Sequence, residues 1–110
     1  KFLKDYKADT PEYAILFFTK GFNGEKIEVK NEEEIIFVDG VTTDKTTGLA
    51  KNMRIKVTLD TEIYDKATKK KIYVKSNKVG KHKFIYIMKG NANEDKPYKI
   101  TYSDKLRPEK

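Results

Sequence analysis

No cysteine, no tryptophan and a single histidine occur in this chain of 110 residues, and each gap removes a class of chemistry. Without cysteine there is no disulfide framework, so a disulfide-stabilised secreted domain is excluded, as are thiol nucleophiles and thiolate metal sites. His82 is the one side chain whose unperturbed pKa lies near neutrality. It stands between Lys81 and Lys83, whose charges disfavour its protonated form. A histidine base also needs an orienting partner and a nucleophile, and neither Ser76 nor Ser103, the only serines, stands in a nucleophile-elbow context. His82 therefore reads as an exposed residue at a strand end, and we expect no catalytic residues, no enzyme activity and no cofactor.

Arginine is nearly absent too. Arg54 and Arg107 are the only two, so the net charge of +7 is carried by lysine. Arginine forks onto phosphates and base edges, whereas lysine is a hydrated point charge. A lysine-only basic balance suits a solvated sheet face whose charges discourage edge-to-edge pairing better than a phosphate-reading surface. No apolar run approaches the ~18 residues that span a bilayer as a helix, so no membrane span is expected. The stretch from Lys1 to Asp5 carries no signal-peptide pattern. Because position 1 is not methionine, we expect that a leader or a boundary segment was removed, and we expect a secreted or bacterial cell-envelope protein on composition.

What the chain does have is alternation. Ile27 and Val29 alternate with Lys26, Glu28 and Lys30, while Met53, Ile55, Val57 and Leu59 alternate with Arg54, Lys56 and Thr58. Tyr98, Ile100 and Tyr102 repeat the pattern in a last strand. Two stretches are apolar without interruption, within a strand over 13–20 and over Phe84 to Met88, as expected of central strands covered on both faces. A third strand, Ile35 to Val38, ends at the turn pair Asp39-Gly40. Thr61 to Tyr64 and Lys71 to Lys75 flank Asp65–Lys70 as a hairpin. Turn clusters fall at 21–24 and 32–34, and polar loops at 42–48 and 89–96. One domain over 1–110 follows, with a lead-in arm at 1–12 and a frayed tail at 103–110. About eight short strands with regular turns and no convincing helix predict an all-β fold, an antiparallel β-sandwich, with a small β-barrel as the alternative. Phe17, Ile55, Ile85 and Ile87 are the expected core.

Binding surfaces remain to be assigned. Lys66, Lys69, Lys70, Lys71, Lys75, Lys78, Lys81 and Lys83 concentrate positive charge near Tyr64, Tyr73 and Tyr86. Bases stack on aromatics while lysines track a backbone, so Lys69, Lys70, Lys71, Tyr73, Lys75, Lys81 and Lys83 are the candidate polyanion-binding residues. Period-2 geometry sends Tyr73 to the face opposite Ile72 and Val74, beside Lys71 and Lys75. Asn91, Asn93 and Asp95 space oxygens as a calcium loop does, yet Lys96 and Tyr102 stand where such a loop needs glycine and glutamate. Asp39 and Asp44 are paired with a repelling Lys45, so no metal site is expected. Tyr98 and Tyr102 would have to form any carbohydrate platform, and their alternation with Ile100 reads more simply as a core face. The expected function is a non-enzymatic binding or surface/adhesion-type module with a protein or glycan partner. The alternative is polyanion binding, to nucleic acid or acidic polysaccharide, through the Lys/Tyr face.

Overall fold

A computed structural model describes residues 10–79, 82–90 and 97–104. Eight strands form: β1 Tyr13–Phe18, β2 Asn23–Asn31, β3 Glu34–Thr42, β4 Lys51–Lys56, β5 Thr61–Asp65, β6 Lys70–Val74, β7 Phe84–Lys89 and β8 Tyr98–Ser103. They assemble into two separate four-stranded sheets, β4-β1-β7-β8 and β3-β2-β5-β6, so the molecule is a sandwich and not a closed barrel. Among the described residues the helical structure is a single turn, Ser76–Val79 (α1), whose first amide donates to Asp60 Oδ1 at 2.8 Å.

Period 2 explains the core. Ala14, Leu16 and Phe18 of β1, Ile85 and Ile87 of β7, and Ile55 of β4 face the second sheet, which answers with Ile27, Val29, Val41, Ile63 and Val74. Burying one such aliphatic side chain contributes roughly 1.5–3 kcal/mol. The four residues expected in the core, Phe17, Ile55, Ile85 and Ile87, are all buried. Phe17 lies on the other face of its sheet, where it stacks on Tyr86 with centroids 5.0 Å apart and joins Ile15 and Phe84 in a second buried cluster. Arg54 lies over the Tyr13 ring, 4.0 Å from its centroid, at the margin of that cluster. The two uninterrupted apolar runs are thus the adjacent central strands of one sheet, covered on both faces.

Several expectations need correction. The β1–β7 pairing is parallel, with Leu16 opposite Ile85, so the sandwich is not purely antiparallel. Strands buried on both faces are where parallel pairing is found, and the chain enters β7 after crossing from the other sheet. Asp39-Gly40 is not a turn: β3 continues to Thr42, with Gly40 opposite Lys26. Asp39 instead accepts the Gly40 amide at 2.7 Å within an exposed edge strand, and the real reversal is at Glu32, which takes a φ of 59°. The cluster at 21–24 is a shorter turn, because β2 already starts at Asn23 and Phe22 is buried edge-on to Phe18. The 53–59 alternation outruns its strand. β4 stops at Lys56, where the chain turns to cross between sheets, although Val57 still donates to Glu12 O at 2.8 Å. β8 runs through Ser103, so pairing extends into the stretch read as tail. Of the lead-in arm, residues 1–9 lie outside the described residues, as do 105–110 of the tail.

Candidate ligand groove

β6 and β8 are edge strands of opposite sheets, and they lie on the same side of the sandwich. Between them opens a groove of about 420 Å³ lined by Ile72, Pro97, Tyr98 and Ile100, with Lys70, Lys71, Tyr73 and Lys75 around it. Alternation builds this arrangement. Lys70, Ile72 and Val74 pair with Asp65, Ile63 and Thr61 on the inner side, while Lys71 and Tyr73 pair with Tyr64 and Glu62 on the outer side. Tyr73 is accordingly 45% exposed. Its hydroxyl donates to Glu62 Oε1 at 3.3 Å, Lys75 Nζ sits 5.1 Å from its ring centroid, and Lys71 lies 5.7 Å from the Tyr64 centroid. Lys71 and Lys75 approach Glu62 and Asp60 at 4.0 and 3.6 Å. These ion pairs are solvated, a class that contributes about 1 kcal/mol or less and yields easily to a competing anion.

The inner end of the groove rests on a buried ion cluster that the sequence reading did not find. Lys89 ends β7 in the same register parity as Ile85 and Ile87, so its side chain enters the space between the sheets with 6% exposure. There its ammonium donates to Asp65 Oδ2 at 2.8 Å and to Glu25. Asp65 also accepts the Tyr98 hydroxyl on Oδ2 and the amides of Ala67 (2.9 Å) and Thr68 (3.4 Å) on Oδ1. One carboxylate thus closes the β5–β6 hairpin turn and ties both sheets together. Burial drives the Asp65 and Glu25 carboxyls up, but hydrogen bonds from Lys89 and from backbone amides outweigh it and hold both below their ordinary range. Lys89 moves above its usual value because its two carboxylates overcome the burial that would lower it. Tyr98 is pushed up to about 12, by burial first and by the Asp65 carboxylate second. At the opposite end Asn31 does the same job without charge: its amide bonds Lys56 O, the Lys56 N–H and Thr61 Oγ1 at 3.2, 2.8 and 3.1 Å. Among the described residues every buried side-chain polar atom has a partner.

The candidate polyanion residues do not share one surface. Lys71, Tyr73 and Lys75 share the outer face of β6, Lys70 is half-buried on the inner side, and Lys69 is exposed in the hairpin turn with a φ of 60°. Lys83 stands just ahead of β7 beside the other sheet, where its ammonium caps the carbonyls of Thr10 and, at 2.8 Å, Tyr13. Lys81 and the side chain of Lys78 lie outside the described residues. Tyr86 is buried against Phe17 and offers no face for a base. His82 gains an acidic neighbour the sequence did not suggest: its Nδ1 lies 2.9 Å from Asp104 Oδ1, both side chains being well exposed. Tyr98 and Tyr102 pack against the main core and form no platform. Asp44 Oδ1 accepts the Thr46 amide at 2.7 Å, which is turn chemistry, and among the described residues no three acidic or histidine side chains group as metal ligands. Asn91, Asn93 and Asp95 lie outside the described residues. No protein-family model, curated protein or solved structure matches this chain.

Proposed function

We propose that this protein is a non-enzymatic binding module whose ligand seats in the groove between β6 and β8. The observation that carries the reading is the lining itself: an apolar floor of Ile72, Pro97, Tyr98 and Ile100 beside lysines on one rim. Ligand sites are concave and mostly apolar with a few placed polar groups, and about 420 Å³ falls in their usual range of ~300–1,000 Å³. The ion cluster behind Tyr98 supports the reading, because the Asp65 carboxylate anchors that ring's hydroxyl from beneath. A polyanion reading draws on the shared outer face of Lys71, Tyr73 and Lys75, but Lys69 stands in the hairpin turn and Lys83 is spent on the Tyr13 carbonyl of the other sheet, so no continuous basic track forms. A secreted or cell-envelope location belongs to the same proposal and rests on composition; protease accessibility on intact source cells tests it.

The groove is tested with anilinonaphthalene sulfonate, an apolar anion that carries both required chemistries. Backbone amide shifts on titration should concentrate at Lys70–Val74 and Tyr98–Ile100, and Ile72→Glu should abolish them while the protein still melts cooperatively. Shifts spread evenly over the surface, or centred on the outer cluster of Phe17 and Tyr86, would overturn the assignment.

A further inference from the structure

We propose that the groove's occupant is an extended peptide strand, alternating apolar and acidic residues, that adds to the outer edge of β6. The inference rests on the groove reading above and specifies its ligand. Among the described residues β6 ends its sheet and no strand pairs with it on the side away from β5, which leaves Lys71–Val74 as the stretch where an added strand can bond main chain to main chain. Peptides recognised by strand addition take affinity from such an edge and specificity from alternate side chains. Both alternations are legible here. A strand beside β6 sends every second side chain inward over Ile72, Tyr98 and Ile100, where only apolar groups avoid a desolvation cost. The intervening side chains stand beside Lys71, Tyr73 and Lys75, where a carboxylate meets two ammonium groups.

Charge also argues against the simplest competing occupant, a second copy of this chain. Pairing β6 with β6 crowds Lys70, Lys71 and Lys75 of both copies onto one edge, and like charges brought together on adjacent strands are destabilising. Edge lysines are a common defence against self-association. An acidic partner converts that repulsion into attraction, so the same lysines that exclude another β6 select the complementary strand.

The test uses synthetic peptides of about seven residues, long enough to span an edge strand. One alternates glutamate with isoleucine and valine, a second scrambles the same composition into blocks, and a third replaces each glutamate with lysine. A short oligothymidylate serves as a non-peptide polyanion. We expect the alternating acidic peptide to bind about tenfold or more tightly than the block peptide at physiological salt. Lys71→Glu/Lys75→Glu should weaken it about tenfold and shift preference to the lysine peptide, with the melting transition retained. Equal binding of alternating and block peptides, or oligothymidylate binding as tightly as the alternating peptide, would reduce the edge to undirected electrostatics and overturn the proposal. If no peptide binds while anilinonaphthalene sulfonate still maps to the groove, the strand inference fails and the groove assignment stands.

Discussion

Replacing Lys89 with methionine keeps most of the side chain's length and apolar stem and removes the charge on which the closed end of the sandwich depends. In the native protein its ammonium sits between Asp65 and Glu25, whose side chains are 1% and 12% exposed. Without it, two like charges remain in a space shielded from water. Asp65 keeps the Tyr98 hydroxyl and the Ala67 and Thr68 amides, and Glu25 keeps the Asn23 amide, but none of these supplies a positive charge. Breaking a buried ion pair from one side costs about 3–5 kcal/mol. Domains of this size have total stabilities of about 5–15 kcal/mol, so the variant should melt on the order of 10–20 °C lower. The assay is urea and thermal denaturation followed by circular dichroism. A triple variant, Lys89→Met with Glu25→Gln and Asp65→Asn, should recover at least half the loss, because neutral amides need no counter-ion. The pH dependence adds a signature. The carboxyls' folded values are depressed below 3.8 for Asp65 and 4.5 for Glu25. Their contribution is therefore present above those values and lost as pH falls through the folded ones, so wild type and Lys89→Met should converge in acid. A Lys89→Met protein within about 1 kcal/mol of wild type at neutral pH would contradict this reading.

Other perturbations test other joints. Gly21 takes a φ of +92°, and a Cβ there would stand 1.7 Å from the Lys89 carbonyl oxygen, so Gly21→Ala should cost about 3 kcal/mol or more in urea melts. Phe17→Ala opens the second cluster beneath Tyr86 and Phe84 and should cost about 3–5 kcal/mol by the same measurement. In alkali, Tyr98, raised to about 12, and Lys89, raised above 10.5, contribute stability that is complete below about 10 and lost as pH rises towards 12. A pH titration of the melting temperature should show that decline in wild type and a weaker one in Tyr98→Phe. Calcium or a chelator should leave the melting temperature unchanged, since an ion bound by the folded state at about 100 times its dissociation constant would add ~2.7 kcal/mol.

Strand content was legible in the sequence because period 2 is a local property. Ile27/Val29 and Met53/Ile55 announce which face is buried without any knowledge of the partner strand. Pairing was not legible, since nothing local separates a parallel neighbour from an antiparallel one; the uninterrupted runs at β1 and β7 were the available signal, and they gave coverage on both faces only. Asp39-Gly40 misled because a strong turn pair was overridden by a long partner, β2, that reaches back to Asn23. The groove was half visible: Tyr73 was placed correctly beside Lys71 and Lys75, but its apolar floor comes from Pro97, Tyr98 and Ile100, distant in sequence. Lys89 and Asp65 were missed for a simpler reason. Each continues the inward parity of its strand, Ile85-Ile87-Lys89 and Thr61-Ile63-Asp65, and an inward-pointing charge at the end of two facing strands is itself a sign of a buried pair.

Amide hydrogen exchange of the free protein and of its complex with the alternating acidic peptide addresses the β6 edge most directly, because an added strand must occupy backbone amides there. Slowed exchange is expected at alternate amides within Lys70–Val74, with the edge strand on the far side of the same sheet, Glu34–Thr42, unchanged. Unaltered exchange across Lys70–Val74, or equal protection at Glu34–Thr42, would contradict it.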